Sequence, residues 1–216
     1  MKKTHGTNVL IADDHTLVAE ACKRLLEPEF NVVAVVADGR SLLQKTKELR
    51  PDVVISDIAM PQLNGLDAGE QIKQQFPSIK LIYLTMNTKA DVAAEAFRRG
   101  ASAYVVKHCS AEELVVAVRR VLRNESYLSP TITRDTVDYL LRSGSVFSEQ
   151  KRLSSRQREV LQLLAEGKSM KEIGYILNLK PGTVAFHKYR IMETIDAKSN
   201  AELIEYAIKT SALSAM

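Results

Sequence analysis

Five short stretches in the first 125 residues are apolar at nearly every position: Asn8-Val9-Leu10-Ile11-Ala12, Val32-Val33-Ala34-Val35-Val36, Val53-Val54-Ile55-Ser56, Lys80-Leu81-Ile82-Tyr83-Leu84 and Ala103-Tyr104-Val105-Val106. A strand with one wet face alternates apolar and polar side chains, whereas a strand covered on both faces does not. The runs therefore predict five buried strands. Between them lie amphipathic stretches from His15 to Leu26, Ser41 to Leu49, Leu66 to Phe76, Lys89 to Arg99 and Ala111 to Leu122. Several close on Pro or Gly, as at Arg50-Pro51, Phe76-Pro77 and Arg99-Gly100. Strand and helix repeated five times imply right-handed crossovers and a parallel sheet with helices on both faces.

After Asn124 the rhythm stops. Ser129-Pro130 matches an N-cap followed by proline at the first helical position, opening a helix through Val137, Leu140 and Leu141. The polar stretch from Arg142 to Arg152 predicts a linker. From Leu153 onward the apolar spacing is helical throughout: Val160, Leu161, Leu163 and Leu164; Ile173, Ile176 and Leu177; Val184, His187, Ile191 and Ile195; Leu203, Ile204, Ala207 and Ile208. Four short helices are expected there. The chain thus divides into an α/β domain over residues 1–125, a helix-bearing linker over 126–150 and an all-α module over 151–216.

With 45% apolar and 26% charged residues, the chain can bury such cores and lies far from disordered compositions. No run nears the roughly 18 apolar residues of a membrane span. Asp13 and Asp14 interrupt the start before a signal peptide could form, so a cytoplasmic protein without a membrane partner is expected. Two cysteines, Cys22 and Cys109, make no disulfide framework and read as reduced thiols. The formal charge of +4 is unevenly placed: residues 151–216 carry 11 Lys and Arg against 7 Asp and Glu, whereas the preceding residues carry 19 of each. A basic C-terminal third points toward a polyanionic partner.

In open parallel sheets, ligands bind beyond the carboxyl ends of the strands. Asp13-Asp14 follow the first run, Asp57 the third, Thr85 the fourth and Lys107 the fifth. Singly, each Asp also reads as a cap, Thr85 as a strand-end hydroxyl and Lys107 as a surface charge. Their coincidence on one edge reads as chemistry. Three converging carboxylates repel one another unless a cation intervenes, and Mg²⁺, a hard ion that prefers oxygen, is the natural one.

Asp13-Asp14, the segment Ser56-Asp57-Ile58-Ala59-Met60-Pro61 with Gly65-Leu66, Thr85, Tyr104 and Lys107 together resemble the receiver domain of bacterial two-component response regulators, over roughly residues 7–124. The resemblance implies a flavodoxin-like, doubly wound, five-stranded fold. It implies that Asp57 accepts a phosphoryl group from the phosphohistidine of a sensor histidine kinase, with slow autodephosphorylation. Asp14 and Asp57 would then ligate Mg²⁺ directly, Asp13 through water, and Ala59 through its backbone carbonyl. Lys107 and Thr85 would neutralise phosphoryl oxygens, and Tyr104 would turn inward as Thr85 moves. Two residues depart from the family pattern: bulky Met86 follows Thr85, and His108 rather than proline follows Lys107.

The stretch from Leu153 through Ser154-Ser155-Arg156-Gln157-Arg158-Glu159, Glu166-Gly167-Lys168-Ser169, Pro181-Gly182-Thr183-Val184 and His187 resembles the LuxR/NarL class of helix-turn-helix domains, to about Ile208. From the residues themselves, Ser154 or Ser155 caps the first helix, Glu159 pairs locally, Ser169 opens the second and Asn178 to Pro181 turn into the third. The resemblance implies that Ala185, Phe186 and Tyr189 face bases of double-stranded promoter DNA. Lys171, Lys180, Thr183, His187, Lys188 and Arg190 would contact its backbone, although His187 also reads as a packing residue. Relatives often carry lysine where Ala185 stands, so apolar contact with thymine methyls is expected here. The last helix would pair two modules in a homodimer. The rival reading is a Mg²⁺-dependent phosphohydrolase working through an aspartyl phosphate, with the C-terminal helices serving assembly.

Overall fold

The computed structural model describes residues 6–108, 111–143 and 153–215. The chain divides after Ser143 into two compact units. In the first, strands β1 (Asn8–Ala12), β2 (Asn31–Val36), β3 (Val53–Ser56), β4 (Lys80–Thr85) and β5 (Ala103–Val106) alternate with helices α1 (Thr16–Leu26), α2 (Gly39–Leu49), α3 (Gly65–Gln75), α4 (Ala90–Arg98) and α5 (Ala111–Leu122). All strand pairings are parallel, in the order β2-β1-β3-β4-β5 with a sixth strand, β6 (Tyr127–Leu128), beside β5.

The lack of alternation in the strands has a simple cause: successive side chains enter different cores. Leu10, Val54, Leu81 and Tyr83 pack with Leu42 of α2, Ile72 of α3 and Ala93 of α4. Val9, Ile11, Ile55, Ile82 and Val105 pack with Leu26 of α1 and Val118 of α5. Strand β2 departs from the expected full burial. As an edge strand with one neighbour, it is exposed at Asn31 and half-buried elsewhere.

The sheet has six strands rather than the expected five. The added β6 (Tyr127–Leu128) pairs with β5 in the register Ala103↔Tyr127 and Tyr104↔Leu128. Two residues are too few to show a periodicity, and only the adjacent open edge of β5 makes them a strand. The Ser129 backbone N–H donates to the Tyr104 carbonyl at 3.0 Å, continuing the pairing. Helix α6 (Pro130–Ser143) starts with proline, as expected, and packs along α4. Its Ile132 is buried in the core, while the buried Thr136 hydroxyl donates to the Ile132 carbonyl at 2.7 Å. Of the expected linker from Arg142 to Arg152, the first two residues continue α6, and residues 144–152, like Cys109, lie outside the described residues. Helix α2 opens two residues before the expected Ser41, because the Asp38 carboxylate accepts the Arg40 and Ser41 N–H groups at 2.9 and 2.8 Å.

The second unit contains α7 (Ser155–Ala165), α8 (Met170–Leu177), α9 (Pro181–Ile195) and α10 (Asn200–Ala215). Two capping boxes define its start signals. Ser154 exchanges hydrogen bonds with Gln157, and Ser169 with Glu172, so two otherwise orphaned donors are satisfied at each end. Asn178 ends α8 in the left-handed region, at φ 52°, and Pro181 begins α9. Leu163, Ile173, Val184, Ile191 and Leu203 meet in the core, with Ile195 at its border. Among the described residues, no helix is long and apolar enough to cross a membrane.

Candidate functional site

Parallel register brings the functional side chains together. Ala12 pairs with Ser56, Ser56 with Tyr83, and Thr85 with Val106, so the residues that follow β1, β3 and β5 leave the same sheet edge. The Asp57 backbone N–H donates to the Ala12 carbonyl at 2.8 Å, holding Asp57 beside Asp13. Both acids are buried, and the Lys107 ammonium reaches between them, 2.8 Å from Asp13 Oδ2 and 2.6 Å from Asp57 Oδ2. Burial disfavours that ammonium. The hydrogen bonds and charges of Asp13 and Asp57 outweigh the penalty and hold its pKa above the ordinary lysine value.

The other Asp57 oxygen, Oδ1, accepts N–H groups from Ile58 at 2.6 Å and Ala59 at 3.4 Å. The loop that supplies them folds back tightly: the Ile58 carbonyl accepts the Gly65 N–H at 2.8 Å, and a Cβ on Gly65 would fall 1.9 Å from the Asp57 carbonyl oxygen. Only glycine permits this approach, which explains Gly65 at the first position of α3.

Asp14 lies at the exposed rim. Its Oδ1 stands 3.0 Å from His15 Nδ1, which is also 3.4 Å from Asp13 Oδ1. Asp13, Asp14, His15 and Asp57 each offer a donor atom, all within 4.8 Å of one another. His15 was absent from the sequence-derived site; its signal was its place directly after the acid pair.

Thr85 is buried on the same edge, and its Oγ1 accepts the Asn87 N–H at 3.2 Å. Asn87, also missed in the sequence, links several groups. Its carbonyl accepts the Tyr104 hydroxyl at 2.9 Å and its Oδ1 accepts the Lys89 N–H at 2.8 Å at the start of α4. Its contacts to Thr85 and Lys89 are local, but the one to Tyr104 on β5 spans 17 residues. Tyr104 was expected to turn inward only after modification, yet its ring is already fully buried. Its hydroxyl has a partner inside, so burial leaves no orphaned donor. Burial, with the charges of Asp57 and Asp91, pushes the phenol pKa upward. Met86 stands half exposed between these groups, and His108 is exposed.

In the second unit, Lys171, Lys180, Phe186, Tyr189 and Arg190 are exposed, whereas Thr183, Ala185, His187 and Lys188 are only partly so. Phe186 and Tyr189, three residues apart on α9, are 60% and 67% exposed and form an aromatic face. The Phe186 and His187 rings meet edge to face, 5.9 Å between centroids. Arg190 pairs with Glu193 at 2.6 Å, so a phosphate would compete with that carboxylate for it. Tyr175, 91% exposed one turn after Lys171 on α8, was not singled out in the sequence.

Comparison with known proteins agrees with both units. Residues 9–119 match the family model of the response regulator receiver domain, and residues 151–207 that of bacterial regulatory proteins, luxR family. The oxygen regulatory protein NreC of Staphylococcus haemolyticus is 37% identical over 213 residues, which cover 95% of this chain and 98% of that protein. Among solved structures, RcsB from Salmonella enterica serovar Typhimurium, bound to promoter P1flhDC in the presence of the phosphomimetic BeF3⁻, is 29% identical with a TM-score of 0.61, covering 95% of this chain and 100% of that one. A structure of two RcsB dimers bound to two parallel DNAs is 28% identical with a TM-score of 0.58, covering 93% and 97%. With an acid-and-lysine pocket at one sheet edge and a capped four-helix module after it, this chain belongs to the response regulators that join a receiver domain to a LuxR-type DNA-binding domain.

Proposed function

We propose that Asp57 of this chain takes a phosphoryl group from a sensor histidine kinase and that this modification controls promoter binding by residues 151–216, with residues 1–125 as receiver and a linker over 126–150 whose first part, β6 and α6, belongs to the receiver's compact unit. The observation that carries the reading is the buried Asp57 carboxylate, fixed by two backbone N–H groups on one oxygen and by Lys107 on the other. In the transfer, the phosphorus–nitrogen bond of the donor phosphohistidine breaks as an oxygen–phosphorus bond forms at Asp57, and the imidazole leaves with the electron pair. Such transfers depend on position and charge rather than on covalent help from the protein. Lys107, already against Asp57, follows the new negative charge, and the Thr85 hydroxyl, which accepts the Asn87 N–H, has its own proton to donate to a phosphoryl oxygen. Because Asn87 also holds Tyr104 and the start of α4, a movement of Thr85 toward that oxygen is passed to the β4–α4 loop.

The donor set suits Mg²⁺, since Asp13, Asp14 and Asp57 are hard oxygen ligands in close reach of one another. Asp13 would reach the ion through water. Asp14 and Asp57 would hold the ion directly, with the Ala59 carbonyl. When bound, the ion neutralises phosphoryl and carboxylate charge. The phosphohydrolase alternative falls with the family assignment; beyond its own phosphorylation and slow dephosphorylation, the chain acts as a regulator.

On DNA, α9 would enter the major groove with Ala185, Phe186 and Tyr189 toward bases and Lys171, Lys180, Thr183, His187, Lys188 and Arg190 toward the backbone. The RcsB dimers on DNA support a homodimeric mode, and α10, on which Ile208 is 57% exposed, would be the pairing helix. Such a regulator works in the cytoplasm. The test is intact-mass analysis and DNA binding with and without a kinase or small phosphodonor, in wild type and Asp57→Asn. The reading expects the mass of one phosphoryl group and a change in DNA affinity in wild type alone. Equal DNA affinity in both proteins under phosphorylating conditions would sink it.

A further inference from the structure

The carboxylate pocket has a nitrogen at its rim. His15 is the N-cap residue of α1, with extended backbone (φ −88°, ψ 95°), yet its side chain makes no capping hydrogen bond to the helix. Its backbone N–H donates instead to Asp13 Oδ1 at 2.9 Å, and this turn carries the ring over the acid pair. The imidazole is 67% exposed, so packing does not dictate its position; the carboxylates do.

The distances resemble a ligand shell. Two ligands at right angles, each roughly 2.1 Å from a small divalent ion, stand about 3 Å apart, and opposite ones about 4.2 Å apart. His15 Nδ1 lies 3.0 Å from Asp14 Oδ1 and 3.4 Å from Asp13 Oδ1, and the four donors of Asp13, Asp14, His15 and Asp57 lie within 4.8 Å of one another. A small contraction of Asp14, His15 and Asp57 about an ion, with Asp13 reached through water, would complete the arrangement. The donor set is then mixed rather than all-oxygen. Carboxylates alone suit Mg²⁺, Ca²⁺ and Mn²⁺, whereas imidazole favours later transition ions.

The geometry points to His15 as the residue that sets ion selectivity in this pocket: it binds a borderline ion such as Co²⁺ through Nδ1, while Mg²⁺ relies on the oxygens and leaves His15 on Asp14. This rests on the reading of the acids as a divalent-ion site. It adds that the pocket prefers a borderline ion over Mg²⁺ by more than its carboxylates explain.

The test compares the full chain with His15→Phe, which keeps an aromatic ring and removes the nitrogens, and with His15→Gln. Calorimetry with Co²⁺ alone and Mg²⁺ alone gives the affinity ratio, and proton NMR of the Co²⁺ form reads paramagnetically shifted imidazole signals. The expected result is a Co²⁺ affinity that falls on the order of tenfold or more in both variants. Mg²⁺ affinity should hold, and one set of shifted ring signals should vanish with His15. An unchanged ratio with the signals retained, while both ions still bind, overturns the role of His15 and leaves the metal site standing. Failure of wild type to bind either ion, with fold intact by circular dichroism, overturns both.

Discussion

Lys107 sits between two buried carboxylates that would repel each other without it. Removing one partner of a buried ion pair strands the other charge, at a cost of about 3–5 kcal/mol. In metal-free buffer, Lys107→Ala should therefore lower the urea-unfolding free energy of the first unit by about that amount, whereas Asp57→Asn, which relieves repulsion with Asp13, should cost far less. The lysine pKa is raised in the fold, so this stabilisation is complete below the unfolded value near 10.4 and fades as pH climbs through the folded one. An alkaline unfolding series that showed no such loss would contradict the ion pair. Met86 has a different consequence. It follows Thr85 directly and is half exposed; Met86→Ala, which removes bulk next to a residue of the pocket, should shorten the lifetime of the phosphorylated protein, measured by phosphate release. Asp13, Asp57 and Lys107 were legible in the sequence because a strand end can be located from the last residue of an apolar run. His15, beside the acid pair, and Asn87, two residues after Thr85, were passed over because neither ends an apolar run, and the Tyr104 contact of Asn87 spans 17 residues.

Two helices of the second unit, α7 and α8, start where their caps dictate. Ser154 and Ser169 each close a capping box, and replacing either with alanine should cost about 1 kcal/mol, read in the thermal unfolding of that unit. For Ser169 the effect has a pH signature. Hydrogen bonds from Ser169, side chain first and then backbone, hold the Glu172 carboxyl below its ordinary value. The box's contribution is thus present above the unfolded carboxylate pKa and lost as pH falls through the folded one. A Ser169→Ala penalty of equal size well below and above that range would exclude a charged partner in the box. These elements were readable because a cap and its partner lie three residues apart. Strand β6 was not, and neither was the packing of α6 along α4. A two-residue strand carries no pattern of its own, and an amphipathic helix announces an apolar face without naming the element that covers it.

For the whole molecule, the coupling between phosphorylation and DNA binding is bounded by ordinary differential free energies of about 1–3 kcal/mol, so phosphorylation should change promoter affinity by roughly 5- to 150-fold rather than switch it absolutely. If a dimer neutralises about six phosphates, log affinity should fall against log salt with a slope near −5, a loss of roughly a thousandfold between 50 and 200 mM. Fluorescence anisotropy on a labelled promoter checks both, and a salt-insensitive complex would exclude backbone contacts by the basic residues of α8 and α9. The amino-acid order by itself determined the five main strands, the helices between them, the caps of the C-terminal helices and the sheet edge that carries the chemistry. Each of these depends on patterns spanning a few residues, where side-chain periodicity and local hydrogen bonds act. Only the tertiary structure decided that Lys107 closes on Asp57 from 50 residues away, that Asn87 joins Thr85 to Tyr104, and that Tyr104 is already inside. Those contacts follow from parallel register and the return of each crossover, which are set by packing between distant segments.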